Sequence, residues 1–242
     1  MILTRQRRAP VVAVVVAICG LLLTGCGDNV GVHPGSAAVV DGQSLSMNKI
    51  DDTTKLYCQA YVAQSQQSQQ TSSGPIPMGA FRSYVASALS KRMLGDALAD
   101  HYGVEPAPGY QKAVSTYEQG LASAPDDQRA AVIEVAGADA YLQNVQVAIG
   151  EQLTGNSGQA DADVKANLQR GQVATEDWLK DNDARVDPVF GIAVDGGQFS
   201  PQRDQISYPL SPLASEGAQA LTSQQGPADS YISALPPSQL CQ

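Results

Sequence analysis

Two stretches of this chain carry the β-branched signature of a strand, and the sequence between them has mostly helical period. The first, Ala37 to Leu45, reads as an apolar strand, a turn at Asp41-Gly42 and a brief return. Asp-Gly between apolar residues is a strong hairpin signal. The second, Arg185 to Val194, places Val186, Val189, Phe190, Ile192 and Val194 ahead of the turn residues Asp195-Gly196-Gly197. Two short strands are not stable alone in water. The arrangement that accommodates both is a small two-stranded element pairing the N-terminal and C-terminal segments, packed on the helices between them.

Those helices are legible from apolar spacing. Ser46 is placed to cap a first helix in which Ile50, Thr54, Tyr57, Cys58 and Tyr61 recur on one side. Gln64 to Gly74 lacks apolar period and reads as a loop closed by Pro75 and Pro77. From Gly79 to Tyr102, the residues Phe81, Val85, Ala88, Leu89, Met93, Ala97 and Leu98 trace one face, stopped by Gly103. Further helices are expected over 110–124, from Asp126 to about Leu153, and over 160–180, the last with Val164, Leu168, Gly171, Thr175 and Trp178 inward. Aromatic residues make up only 5% of the chain, so the core must draw on Ala, Val and Leu. Ala has the highest helix propensity. The expected fold is mainly α. From Ser200 onward Pro, Ser and Gln dominate, and a loosely ordered tail is expected until Cys241.

The first 25 residues read differently. Arg5, Arg7 and Arg8 precede an apolar run from Ala9 to Leu23, shorter than the roughly 20 residues a spanning helix needs. Its length and flanks fit a signal peptide, with an uncleaved anchor or a core helix as the alternative. Leu23-Thr24-Gly25-Cys26 follows directly and resembles the bacterial lipobox. That resemblance implies cleavage before Cys26, lipid on its thiol and attachment to the outer, extracytoplasmic face of the cell membrane. The organisation expected is a signal peptide over 1–25, a Gly-rich tether over 26–36, a helical domain over 37–199 and a tail over 200–242.

With Cys19 in the leader and Cys26 taken by lipid, Cys58 and Cys241 remain. An even pair in an oxidising, exported setting predicts a disulfide. The net charge is −9, and removing a leader that carries three arginines and no acid makes the remainder more acidic. Such a surface repels a phosphate backbone, which argues against a nucleic-acid partner.

Nothing in the sequence marks a catalytic centre. His33 lies in the tether and His101 at a helix end, where a cation is favourable. There is no phosphate-binding Gly-Lys-Ser/Thr loop, no Gly-x-Ser-x-Gly elbow and no Cys-x-x-Cys pair. Asp181, Asp183 and Asp187 lack the central Gly and terminal Glu of a calcium loop. No enzyme activity, cofactor or metal is expected. The apolar side chains Phe81, Tyr84, Val85, Tyr117 and Trp178 could line a groove for a client segment, or could be helix-on-helix core. Periodicity does not separate the two.

The stretch Ala38-Val39-Val40-Asp41-Gly42-Gln43-Ser44-Leu45-Ser46 resembles the opening of the SurA and PrsA foldases: an apolar strand, Asn-Gly, a polar residue, an aliphatic and Ser before a first helix. Val186-Asp187-Pro188-Val189-Phe190-Gly191 is similar to the Asn-Pro-Arg-Phe-Gly segment that follows the helices in actinobacterial lipoproteins of this group. Asp41 stands where Asn is usual, and Val189 where Arg is usual. There is no room for a parvulin isomerase domain. The resemblance, over roughly 37–199, implies the N-terminal chaperone module alone: a helical cradle holding unfolded, exported polypeptides. The rival is a structural or adaptor lipoprotein that binds one folded envelope partner.

Overall fold

The computed structural model describes residues 35–67, 74–202, 208–220 and 227–242. The leader, Cys26, His33 and nearly all of the tether lie outside the described residues. The chain begins as a hairpin in which β1 (Ser36–Val40) pairs antiparallel with β2 (Gln43–Ser46), Val40 opposite Gln43 and Ala38 opposite Leu45. Asp41 and Gly42 both take positive φ, 47° and 73°, as a two-residue turn matching the strand twist requires.

The Ser46 hydroxyl then accepts the Lys49 N–H at 3.2 Å and starts α1 (Met47–Gln67). Helix α1 outlasts the expected loop boundary. Gln64 to Gln67 form its last turn, because Gln is a good helix former even without an apolar stripe. After β3 (Ile76–Pro77) comes α2 (Met78–Tyr102), ended by Gly103 at φ 65°. Helix α2 is the spine of the fold. Its Val85 and Leu89 enter one apolar cluster with Ala37, Ile50, Val135 and Phe190, and its Leu94 and Leu98 enter a second with Val145, Ile149 and Trp178.

Helix α3 (Gly109–Gly120) stops short of the expected Ala124. The single helix expected from Asp126 to Leu153 is two, α4 (Asp126–Ala136) and α5 (Ala138–Thr154), separated at Gly137. A β-carbon there would overlap the Ile133 carbonyl oxygen, so the bend needs glycine. The Gly137 N–H still reaches Ile133 O at 3.0 Å, and its carbonyl accepts from Tyr141 at 2.8 Å. The bend therefore leaves no orphaned backbone group at this residue. Helix α6 (Asp161–Trp178) folds back along α5, with Gly150 against Asn167 and Gly171 against Gln146. Between these two helices the buried Gln146 amide donates to Thr175 Oγ1 at 3.2 Å, and that hydroxyl donates to the Gly171 carbonyl.

Strand β4 (Ala184–Val186) returns to the free edge of β1, setting Ala38 opposite Val186 and Val40 opposite Ala184. Asp41 N–H to Asp183 O and Asp187 N–H to Ala37 O extend the ladder at both ends. The N-terminal and C-terminal segments thus pair, but in a three-stranded sheet of order β2-β1-β4 rather than a two-stranded one. The expected strand over 185–194 is also interrupted. Asp187 accepts the Val189 N–H at 2.9 Å, and Pro188 to Phe190 form one 3₁₀ turn. Beyond it β5 (Ile192–Asp195) and β6 (Gln198–Pro201) make a second hairpin around Gly196 and Gly197.

The tail carries more structure than its composition suggests. Helix α7 (Pro212–Ala220), capped by Ser211 Oγ on the Ala214 N–H, precedes α8 (Asp229–Ala234). Neither helix buries a residue. Strand β7 (Leu240–Cys241) then pairs with β3, and Cys241 is disulfide-bonded to Cys58 on α1, their Cα atoms 5.7 Å apart. The fold is mainly helical with a few short antiparallel strands. Among the described residues no helix is long and apolar enough to cross a membrane.

Candidate functional site

Helix α2 places Tyr84 and Val85 side by side in sequence but on different faces. Val85 is fully buried, whereas Tyr84 is 47% exposed. One residue is about 100° of helical rotation, enough to carry Tyr84 from the core to its rim. There it joins an aromatic cluster with α1. The Tyr57 ring lies 5.7 Å from Phe81 and 5.8 Å from Tyr84, and Tyr61 meets Phe81 edge-on at 5.5 Å. The Tyr57 and Tyr84 hydroxyls are hydrogen-bonded, and burial holds both above the ordinary tyrosine pKa. The Tyr117 hydroxyl sits near enough to act on both electrostatically while donating to the Ala136 carbonyl at 3.0 Å.

Beside Tyr84 a cleft of about 230 Å³ opens between α2 and the β5–β6 hairpin. Ala80, Ser83 and Ser87 of α2 form one wall, Ile192, Phe199 and Pro201 the other, and Phe190 the buried floor. Phe190 is fixed from above by the Arg82 guanidinium, 5.6 Å from its ring centre, and Arg82 is itself held by Asp51 at 2.8 Å. Among the described residues, none that lines the cleft carries a charge. Such a surface suits an uncharged apolar segment, with the Ser hydroxyls available as donors or acceptors.

The five side chains that could line a client groove or form core are thereby divided. Tyr84 lines the cleft, whereas Tyr117, partly exposed, does not line it and lies near Tyr84. Phe81, Val85 and Trp178 are buried and are corrected to core, because each falls on the inward stripe of its helix. Trp178 belongs to the other apolar cluster, near His101 with ring centres 6.3 Å apart. Phe190, Ile192 and Phe199 were not among the expected client contacts. The Asp187-Pro188 pair is the local signal that could have found them, since an Asp cap on a Pro-initiated turn breaks the strand and turns Phe190 inward.

Two of the three aspartates considered for calcium have ordinary roles. Asp183 is paired with Arg185 at 2.9 Å and Asp187 caps the 3₁₀ turn. Among the described residues no group of three His, Cys, Asp or Glu side chains is placed to hold a metal. No protein-family model, curated protein or solved structure matches this chain.

Proposed function

We propose that this protein is a lipoprotein, anchored through Cys26 on the extracytoplasmic face of the membrane, that holds unfolded exported polypeptides without chemistry of its own. The observation that carries the reading is the cleft floored by Phe190, bordered by the solvent-facing Tyr84 and free of charge among its described lining residues. A cleft of this size takes one or two apolar side chains of an extended segment at a time. Binding through few contacts suits transient holding better than a tight, fixed complex. The pairing of β1 with β4 supports the same reading, because it fixes the Asp187 to Phe190 turn against α2 and so builds the cleft floor.

The test is aggregation of a reduced, unfolding protein in the presence of the mature chain, followed by light scattering without ATP. Suppression is expected at several-fold excess, with a weaker effect for Tyr84→Asp, which places a charge on the rim. Equal scattering with and without the protein would remove the reading. Recovery of a single stoichiometric folded partner from the envelope would select an adaptor role instead.

A further inference from the structure

The two flanks of the cleft are joined by a stretch of chain that carries its own apolar side chains in water. Pro201, at the end of β6, and Ala220, at the end of α7, both line the cleft. Between them lies Tyr208-Pro209-Leu210-Ser211-Pro212-Leu213, with Tyr208 exposed by 82%, Leu210 by 97% and Leu213 by 40%. Apolar side chains gain free energy on leaving water, and three gathered in six residues mark a surface that something covers. The two prolines fix φ and remove two N–H donors, so this segment has less backbone freedom to lose on docking. Helix α7 buries no residue, so no core contact of its own has to break for it to shift.

We infer that Tyr208 to Leu213 is a built-in occupant of the cleft between Tyr84 and Phe190, a strap that closes over it in competition with outside polypeptide. The chemistry is matched on both sides, since neither the segment nor any described residue of the cleft lining carries a charge. Both ends of the stretch are also anchored at the cleft, through Pro201 and Ala220. Seven residues from Pro201 to Tyr208 extend at most about 25 Å, and the nine residues of α7 span about 13 Å back toward Ala220. A segment held this closely presents itself at an effective concentration on the order of millimolar. External segments must out-compete it, so the strap sets a threshold for occupancy. As a regulator of client holding the strap rests on the function proposed above, but occupancy of the cleft is tested with no client present.

The experiment uses the full, oxidised chain, a dye whose emission rises in apolar clefts, and a synthetic peptide of residues 207–214. Leu210 is almost fully exposed, so Leu210→Asp disturbs no packing. The variant is expected to raise dye emission about threefold or more over wild type and to bind the peptide more tightly than wild type does. Adding Ser87→Arg, which fills the cleft wall, is expected to cancel both gains. Unchanged emission and peptide affinity in Leu210→Asp would overturn the inference, as would a gain that survives Ser87→Arg. If dye and peptide behave as expected but aggregation is not suppressed, the strap stands and the holding function falls.

Discussion

Gly150 on α5 and Gly171 on α6 each lie against the backbone of the other helix. A β-carbon on Gly150 would overlap the Asn167 carbonyl oxygen, and one on Gly171 would overlap that of Gln146. Gly→Ala within a helix ordinarily gains about 1 kcal/mol from propensity. Here the helices must separate to admit the methyl group, an overpacking cost of about 1–3 kcal/mol. It also stretches the buried Gln146 to Thr175 bond. Gly150→Ala and Gly171→Ala are each expected to lower the denaturant midpoint. A rise in either would mean that the close approach is not real.

Cys58 and Cys241 close a loop across a sequence separation of 183 residues. Chain entropy alone assigns such a crosslink about 5 kcal/mol, and loss of native disulfides typically costs 2–5 kcal/mol. The double Ser variant is expected to unfold at a denaturant midpoint lower by that amount divided by the m-value. It should also expose residues 240 and 241 to amide exchange, because the β3–β7 pair is only two residues long. Unchanged stability on reduction would show that the bond does not form in solution.

The Asp41-Gly42 turn gives a finer test. Gly42 sits at φ 73°, a region that costs an L-residue about 1–2 kcal/mol. Gly42→Ala should therefore destabilise by about 1 kcal/mol. Asp41→Asn should be neutral or slightly stabilising, since Asn-Gly suits this turn at least as well. The thermal midpoint should lie at or slightly above the wild-type value for Asp41→Asn and well below it for Gly42→Ala.

Tyr57 and Tyr141 are both held well above the ordinary tyrosine pKa, chiefly by burial. Tyr57 is further raised by Tyr84, and Tyr141 by the Asp96 carboxylate its hydroxyl donates to at 2.6 Å. In the unfolded chain these phenols ionise near pH 10. Above that pH the folded state keeps protons that the unfolded state releases, so stability falls as pH rises. The contribution is whole below about pH 10 and is lost through the raised folded values. Tyr57→Phe should flatten the alkaline slope of the thermal midpoint. Ionisation of Tyr57 together with the exposed tyrosines of the native protein would contradict the burial argument.

Lipid attachment is checked by fatty-acid labelling. The intact chain is expected to incorporate label and fractionate with membranes. Cys26→Ser should lose both while leaving the helical circular dichroism of the released domain unchanged. Label retained by the Ser variant would place the anchor elsewhere.

How much of this was readable beforehand depends on whether the signal was local. Helix α2 was, because its apolar stripe and Gly103 cap are properties of neighbouring residues, and the expected start lay one residue from the observed one. So were the first hairpin and the cysteine pair. The break at Gly137 was not, since the apolar period continues on both sides and the overlap that excludes a β-carbon there exists only in the folded backbone. The tail helices are hard to read from sequence because they are only nine and six residues long and lie among Pro, Ser and Gln. The cleft was half visible. Tyr84 was singled out, but periodicity reports which side of a helix is apolar and not which distant residue it meets. Phe190 and Phe199 come to α2 from the far end of the chain, just beyond the pairing of β4 with β1.

Strand β1 sits in the middle of its sheet although it is made first, and its second partner ends at Val186. A ribosome adding about 5–20 residues per second needs roughly 7–30 s to travel from one to the other. Throughout that interval Ala38 and Val40 lack their β4 partners, and the floor of the cleft does not yet exist. The cleft of the nascent domain stays incomplete until the bulk of its helices have been synthesised.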